Sequence, residues 1–228
     1  MTRVLIIAHR GASGYEPENT LRSVKKALEL GADMVEVDVH VSRDGCMVVI
    51  HDARLERTTN GKGYVKDMTL KELKKLDAGL GERIPTLEEV IQLVRGKAQL
   101  VVEMKVPGTE ERVLQEIEEN GLENEALITS FYHPVIRRVK ELNPNVQAGV
   151  IIASRPVKPV QPAIDANANA LFPKYTFVDQ QMVLVAHKNN LAVYPWTMDT
   201  LSEIKPLIEM GVDGIVTNKP DILKSPRV

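Results

Sequence analysis

In the run Met34–Val41, Glu36, Asp38 and His40 alternate with Val35, Val37, Val39 and Val41. Alternate side chains of a strand share a face, so one face is apolar and the other carries two acids and an imidazole. Carboxylates at i and i+2 repel one another unless a cation lies between them. A second β-rich run, Met47-Val48-Val49-Ile50, ends in His51-Asp52 and is joined to the first through Ser42-Arg43-Asp44-Gly45. Asp-Gly is a strong hairpin signal, and a parallel partner would need a crossover of a dozen or more residues. With Asp44-Gly45 as a two-residue loop, Arg43 pairs with Cys46 and Asp38 stands directly opposite His51. That register predicts Cβ atoms about 5 Å apart and brings two carboxylates and a histidine together. A plain hairpin with one face in water is the competing reading of the same pattern.

The elements that must position these groups alternate along the chain. Residues 4–8 are a near-continuous apolar strand, followed by the polar loop His9-Arg10-Gly11-Ala12-Ser13-Gly14-Tyr15. Residues 21–30 carry Leu21, Val24 and Leu28 at helical spacing, with Asn19 or Thr20 as cap and Gly31 as stop. Residues 53–81 are polar and irregular, with Asn60-Gly61 turn chemistry and a short helix near 69–76; they read as a small insertion over one end of the domain. A capping box, Thr86 to Glu89, opens the helix over 86–94. Strands are predicted at 100–104, 126–130, 148–152, 170–172, 191–196 and 214–217. Helices fall between them near 110–119, 134–142, 160–166, 179–188 and 201–210. With the hairpin strand set aside as an appendage, the parallel strands total eight, which closes as a (β/α)8 TIM barrel with a small insertion after the second barrel strand. An open doubly wound sheet is the alternative.

In such a barrel the chemistry gathers at the C-terminal ends of the strands. His9 and Arg10 end the first, Glu36 and Asp38 lie late in the second, and Glu103 and Lys105 end the third on one face. Glu36, Asp38 and Glu103 make an all-oxygen set suited to one hard divalent cation, Mg²⁺ or Ca²⁺. Zinc fits less well, because the only cysteine lies at the hairpin turn. His9 and His51 suit acid and base work near neutral pH. Arg10 and Lys105 add fixed charge for an anionic phosphate. A plain Glu103–Lys105 ion pair, a capping role for Asn19 and a core position for Trp196 are the bland alternatives. His40 is expected above the site or in water; His133 and His187 receive no role, and Lys174 and Tyr175 stay open.

These residues resemble the glycerophosphodiester phosphodiesterases. The resemblance rests on His9-Arg10-Gly11, Pro17-Glu18-Asn19-Thr20, Glu36-Val37-Asp38, His51-Asp52, Glu103-Met104-Lys105, Ser130-Phe131, Pro195-Trp196-Thr197 and the run from Gly211 to Thr217, in order over essentially the whole chain. It implies a single barrel domain, 1–228, that hydrolyses glycerophosphodiesters to sn-glycerol 3-phosphate and an alcohol. Carried over by position, Glu36, Asp38 and Glu103 would bind metal and His9 and His51 would be the acid–base pair. Arg10 and Lys105 would hold phosphate, Glu18 and Asn19 would line the pocket, and Trp196 would wall the substrate. Between the histidines, His51 is expected as base, from its place opposite Asp38, and His9 as acid. Asn218 departs from the family, which usually has an aspartate after the threonine.

Composition narrows the alternatives. The 228 residues suit one large domain, and a net charge of −2 leaves no nucleic-acid footprint. One cysteine excludes an intramolecular disulfide and fits a reducing compartment. The apolar run 4–8 is too short for a secretory h-region, and no run approaches the roughly 18 residues of a membrane helix. The expectation is a cytoplasmic enzyme with a small-molecule partner. A phospholipase-like action on lysophospholipids or phosphoinositides would need an apolar approach surface, where residues 53–81 are instead rich in charge. A barrel that only binds phosphorylated ligands would have no use for both histidines.

Overall fold

Each barrel strand is buried on both faces, so its inward and outward rows must both be filled. The computed structural model describes residues 3–224, so residues 1–2 and 225–228 of the expected domain lie outside the described residues. The strands are β1 (Leu5–Ala8), β2 (Met34–Val41), β3 (Met47–Val49), β4 (Gln99–Met104), β5 (Ala126–Ser130), β6 (Gln147–Ile152), β7 (Ala170–Pro173), β8 (Ala192–Val193) and β9 (Gly214–Thr217). The helices are α1 (Leu21–Glu29), α2 (Leu70–Leu73), α3 (Leu87–Val94), α4 (Glu110–Glu119), α5 (His133–Leu142), α6 (Gln161–Asp165), α7 (Gln180–Lys188) and α8 (Leu201–Glu209). Eight strands pair in parallel in the order β8-β7-β6-β5-β4-β2-β1-β9, with β3 antiparallel to β2 alone. The two ends of that ladder meet: Asp213 N–H donates to Val193 O at 3.1 Å, and Val216 N–H to Pro195 O at 2.9 Å. The result is a nearly closed (β/α)8 barrel rather than an open doubly wound sheet.

Two apolar layers hold it together. Ile7, Met34, Val101, Leu127, Ile151, Phe172, Tyr194 and Val216 fill the barrel interior. The outward row, with Val35, Val37, Val39, Leu100 and Val102 among it, packs against the helices. Alternation then dictates what happens at the C-terminal rim. Beyond Met34 on the inward row come Glu36 and then Asp38, and beyond Val101 comes Glu103. Asp38 and Glu103 stand in register on neighbouring strands. The same pleat that places Val35 and Val37 under α1 and α3 therefore forces the acids inward, at the end where barrels hold their chemistry.

The hairpin differs from the predicted register by one residue. Val39, His40 and Val41 pair with Val49, Val48 and Met47. The loop contains three residues, closed by Ser42 N–H to Cys46 O at 2.9 Å, with Gly45 in the left-handed region at φ 83°. A third loop residue there is the usual accommodation of such a glycine. Asp38 consequently faces Ile50, and Ile50 N–H donates to Asp38 O at 3.0 Å. His51 lies just past the end of β3 and reaches the barrel mouth because the chain bends there.

Residues 53–81 are a folded cap with little regular structure. The single helix expected near 69–76 is a 3-10 turn, Val65–Asp67, followed by the one-turn α2. Leu55, Val65, Leu73, Ala78 and Ile84 bury themselves against Val48 and Ile50, a small core separate from the main one. The predicted strand at 191–196 shortens to Ala192–Val193, after which Pro195 supplies no N–H to a ladder. No helix among the described residues is long and apolar enough to cross a membrane.

Candidate active site

The loop after β1 turns back sharply. Arg10 sits at φ 55° and Gly11 at φ 75°. A Cβ on Gly11 would come within 2.5 Å of the Ser23 carbonyl carbon, so only glycine lets the loop lie on the start of α1. This turn delivers Arg10 N–H to Glu36 Oε2 at 2.8 Å. Asn19, itself in the left-handed region at φ 57°, clamps Asp38 from both ends. Its Nδ2 donates to Asp38 Oδ2 at 2.7 Å, and Asp38 N–H donates to its Oδ1 at 3.2 Å. The helix cap is Thr20, in a capping box with Ser23, so Asn19 is free for this task.

Glu36, Asp38 and Glu103 are all buried and present carboxylate oxygens within 4.8 Å of one another. Two fixed cations answer them. Lys105 Nζ lies 2.9 Å from Asp38 Oδ1 and also pairs with Glu103, and Arg10 Nε lies 3.2 Å from Asp38 Oδ2. Burial would raise Asp38, but Lys105 and Arg10 overrule it and hold the carboxyl at about 2. Burial and the neighbouring Asp38 push Glu103 to about 7. Burial, with Asp38 and Glu103 beside it, drives Glu36 well above the carboxylate range. Three carboxylates thus exceed two cations, and Glu36 Oε1 is buried without a hydrogen-bond partner. Three buried carboxyls against two fixed cations, with an oxygen of Glu36 left without a partner, fit a hard divalent cation.

Both histidines reach the same cavity. It occupies about 210 Å³ at the barrel mouth and is lined by His9, Arg10, Glu36, His51, Glu103 and Lys105 on its polar side. Val101, Ile151, Phe172, Phe131 and Trp196 form the apolar side. Burial and the adjacent Arg10 guanidinium lower His9 to about 4. His9 Nδ1 stands 2.7 Å from Asn218 Oδ1. Burial also lowers His51, against the pull of Asp38 and of Asp52, whose Oδ1 lies 2.6 Å from His51 Nδ1. Trp196 is half-buried, donates from Nε1 to Phe172 O at 2.9 Å, and meets Phe131 edge-on with ring centroids 5.6 Å apart. It is both anchored to the barrel and part of the cavity wall.

Other expected positions fall elsewhere. Glu18 points away from the cavity into an ion-pair chain: it takes two hydrogen bonds from Arg57, at 2.8 and 2.9 Å, and one from Arg10 at 2.9 Å. Glu18 and Asn19 therefore border the site from behind. His40 is buried rather than in water, and its Nε2 donates to His51 O at 3.0 Å, fixing the backbone of the catalytic candidate. Tyr175 gives its hydroxyl to Glu203 at 2.9 Å and Lys174 is exposed, so neither lines the cavity. His133 Nε2 bonds Ile151 O at 3.0 Å, and His187 lies 3.0 Å from Asp213.

Sequence reasoning passed over Arg57, Asp52, Asp199 and Ser13. Asp52 was visible as the neighbour of His51. Arg57 secures it with two bonds, at 2.6 and 3.0 Å, while gripping Glu18 with the other edge of its guanidinium. That bridge depends on how the cap folds back, which no local pattern encodes.

Comparison with known proteins agrees with this geometry. The model of the glycerophosphoryl diester phosphodiesterase family matches residues 9–222. A glycerophosphodiester phosphodiesterase of Caldanaerobacter subterraneus is 43% identical over 234 residues, covering 97% of this chain and 96% of that protein. A putative glycerophosphodiester phosphodiesterase of Bacillus subtilis is 41% identical, covering 96% of both. Among solved structures, an Oleispira antarctica phosphodiesterase in complex with the product sn-glycerol-3-phosphate superposes with a TM-score of 0.87 at 32% identity, covering 95% of this chain and 94% of that one. The Thermotoga maritima glycerophosphodiester phosphodiesterase gives a TM-score of 0.85 at 26% identity, covering 97% of both chains. The chain belongs to the glycerophosphoryl diester phosphodiesterase family and is an enzyme of that class, a phosphoric diester hydrolase.

Proposed function

We propose that this enzyme hydrolyses small glycerophosphodiesters to sn-glycerol 3-phosphate and an alcohol, with a divalent cation and a pair of histidines. The observation that carries the reading is the cavity where His9, His51, Arg10 and Lys105 converge on three buried carboxylates. Glu36, Asp38 and Glu103 would hold the cation, Mg²⁺ or Ca²⁺, which supplies charge neutralisation at the phosphate. The related structure that contains sn-glycerol-3-phosphate supports the product assignment. The unpaired Cys46 fits a reducing compartment, and we place the enzyme in the cytoplasm.

The chain's own groups account for the remaining steps. Arg10 and Lys105 lie along the cavity wall and hold phosphate oxygens by charge-assisted hydrogen bonds. Phe131 and Trp196 pack against the carbon skeleton of glycerol. The glycerol hydroxyl next to the phosphate is the nucleophile, because an attached hydroxyl has a large entropic advantage over free water. One histidine accepts its proton and the other protonates the departing alcohol. A cyclic phosphate forms, and water then opens it with the two histidines exchanging duties.

The test uses glycerophosphocholine and its analogue with hydrogen in place of that hydroxyl. Glycerophosphocholine should give sn-glycerol 3-phosphate and choline in equal amounts. The analogue should bind comparably and turn over orders of magnitude more slowly. Equal turnover would mean that water attacks directly; no turnover of glycerophosphocholine would remove the functional reading.

A further inference from the structure

We propose that Arg57, in the cap, is a positioning residue for the reaction: its guanidinium sets the His51 ring through Asp52 and the Arg10 guanidinium through Glu18. This rests on the functional reading above.

The course of the chain brings Arg57 to this place. Past β3 the backbone bends at His51-Asp52, enters the cap and turns. Thr59 N–H to Leu55 O at 3.0 Å, and Thr59 Oγ1 to the same oxygen at 2.7 Å, close that turn. Arg57 lies on it, and its side chain returns over Asp52 with four hydrogen bonds to two carboxylates. Nε donates to Asp52 Oδ2 at 2.6 Å and Nη2 to Asp52 Oδ1 at 3.0 Å. Nη1 donates to Glu18 Oε2 at 2.9 Å and Nη2 to Glu18 Oε1 at 2.8 Å. Each carboxylate is gripped by both oxygens, the bidentate geometry that fixes orientation as well as distance.

Behind each carboxylate stands a group of the catalytic cavity. Asp52 Oδ1 lies 2.6 Å from His51 Nδ1. Glu18 Oε1 also accepts from Arg10 Nη1 at 2.9 Å, and Arg10 Nε stands 3.2 Å from Asp38 Oδ2. One line of polar contacts therefore runs His51–Asp52–Arg57–Glu18–Arg10–Asp38, and Arg57 is its joint between the cap and the loop after β1. His9 has no such dependence on the cap. Its Nδ1 lies 2.7 Å from Asn218 Oδ1, and Asn218 is held by Asp199, through Nδ2 to Oδ2 at 2.5 Å and N–H to Oδ1 at 2.8 Å. The closed barrel braces one histidine, and the cap braces the other through Arg57.

Without Arg57, Asp52 and Glu18 would face each other with no cation between them, and like charges move apart. Asp52 would turn and release the His51 ring. Glu18 would keep Arg10 as its remaining cation and draw it from the phosphate. The clamp adds little to folding, because the Arg57 side chain is 46% exposed and ion pairs open to water are weak. Leu55, Val65, Leu73 and Ala78 hold the cap on Val48 and Ile50, and Gly79 lies against Pro17 of the β1 loop. Positive charge alone does not replace the guanidinium, since a lysine ammonium is a point charge that cannot grip two carboxylates in bidentate fashion.

The test is chemical rescue of the metal-loaded protein, with glycerophosphocholine as substrate. Arg57→Ala should lose about 100-fold in kcat/KM, with kcat lowered and KM raised, while Tm barely moves. Guanidinium chloride at tens of millimolar should restore about tenfold of that loss, saturably. Sodium chloride at equal ionic strength should restore nothing, and wild type should not respond to either salt. Arg57→Lys should stay nearer to Arg57→Ala than to wild type. Arg57→Ala combined with Asp52→Asn should lose far less than the product of the two single losses, because both act on the same ring. Activity near wild type in Arg57→Ala, a loss that guanidinium does not rescue, or losses that multiply would each overturn the proposal. Should Arg57→Ala fail to fold, Arg57→Gln takes its place in the cycle with Asp52→Asn, and multiplying losses there overturn the proposal equally. If wild type does not turn over the substrate, the functional reading fails; if wild type is active and the rescue or the cycle fails, only this proposal falls.

Discussion

At the scale of single residues, the site depends on groups that orient the acids as much as on the acids. Asn19 is the clearest case, because one amide satisfies both the side chain and the backbone of Asp38. Asn19→Ala should leave the fold intact and weaken divalent-cation binding about 10- to 100-fold, the usual cost of losing a partner behind a ligand. Titration calorimetry on metal-stripped protein measures it, and an unchanged affinity would show that Asp38 holds its place unaided. Glu36, Asp38 and Glu103 were legible because acids on an otherwise apolar strand can be placed by alternation alone. His51 was found through a register that does not occur; it arrives because β3 ends and the chain bends. The Asp199–Asn218–His9 line was illegible, since its members meet only when the barrel closes.

At the scale of elements, the cap shows where pattern reading fails. Eight parallel strands and most helices announced themselves by periodicity, whereas residues 53–81 have none. Removing the whole segment would uncover Val48 and Ile50, which it buries, so deletion should cost the fold as well as the cavity. Arg54 offers a gentler probe: it borders the outer cavity, pairs with Glu56 and stacks over Tyr64 at 4.8 Å. Arg54→Ala should raise kcat/KM for bulkier alcohol groups relative to glycerophosphocholine without lowering Tm. An unchanged ratio would remove the cap from substrate selection.

Helix α4 carries a separate liability. Glu116 is half-buried with Oε2 unpartnered, and burial, reinforced by Glu88 and Glu119 against Arg112, raises it from 4.5 to about 7. A raised carboxyl binds its proton more tightly in the folded state. The destabilisation is therefore absent below 4.5, grows as pH rises toward 7, and is complete above it. Glu116→Gln should stabilise the protein at pH 8 by about 1 kcal/mol, after allowance for its partial exposure, and by nothing at pH 4. Denaturant titrations at the two pH values decide this, and an equal effect at both would contradict it.

At the scale of the molecule, barrel closure turns scattered residues into one site. Groups from the ends of β1, β2 and β4, from the bend after β3 and from the loops beyond β5 and β8 share one cavity at the mouth. The net surplus of negative charge there is the feature that most needs an explanation, and a bound divalent cation supplies it. The direct measurement is turnover of glycerophosphocholine by metal-stripped protein as Mg²⁺ or Ca²⁺ is added, for wild type and Glu103→Gln. Wild type should be inactive when stripped and recover saturably with about one ion per chain, while Glu103→Gln stays inactive or needs far more metal. Full wild-type activity in excess chelator would contradict the account.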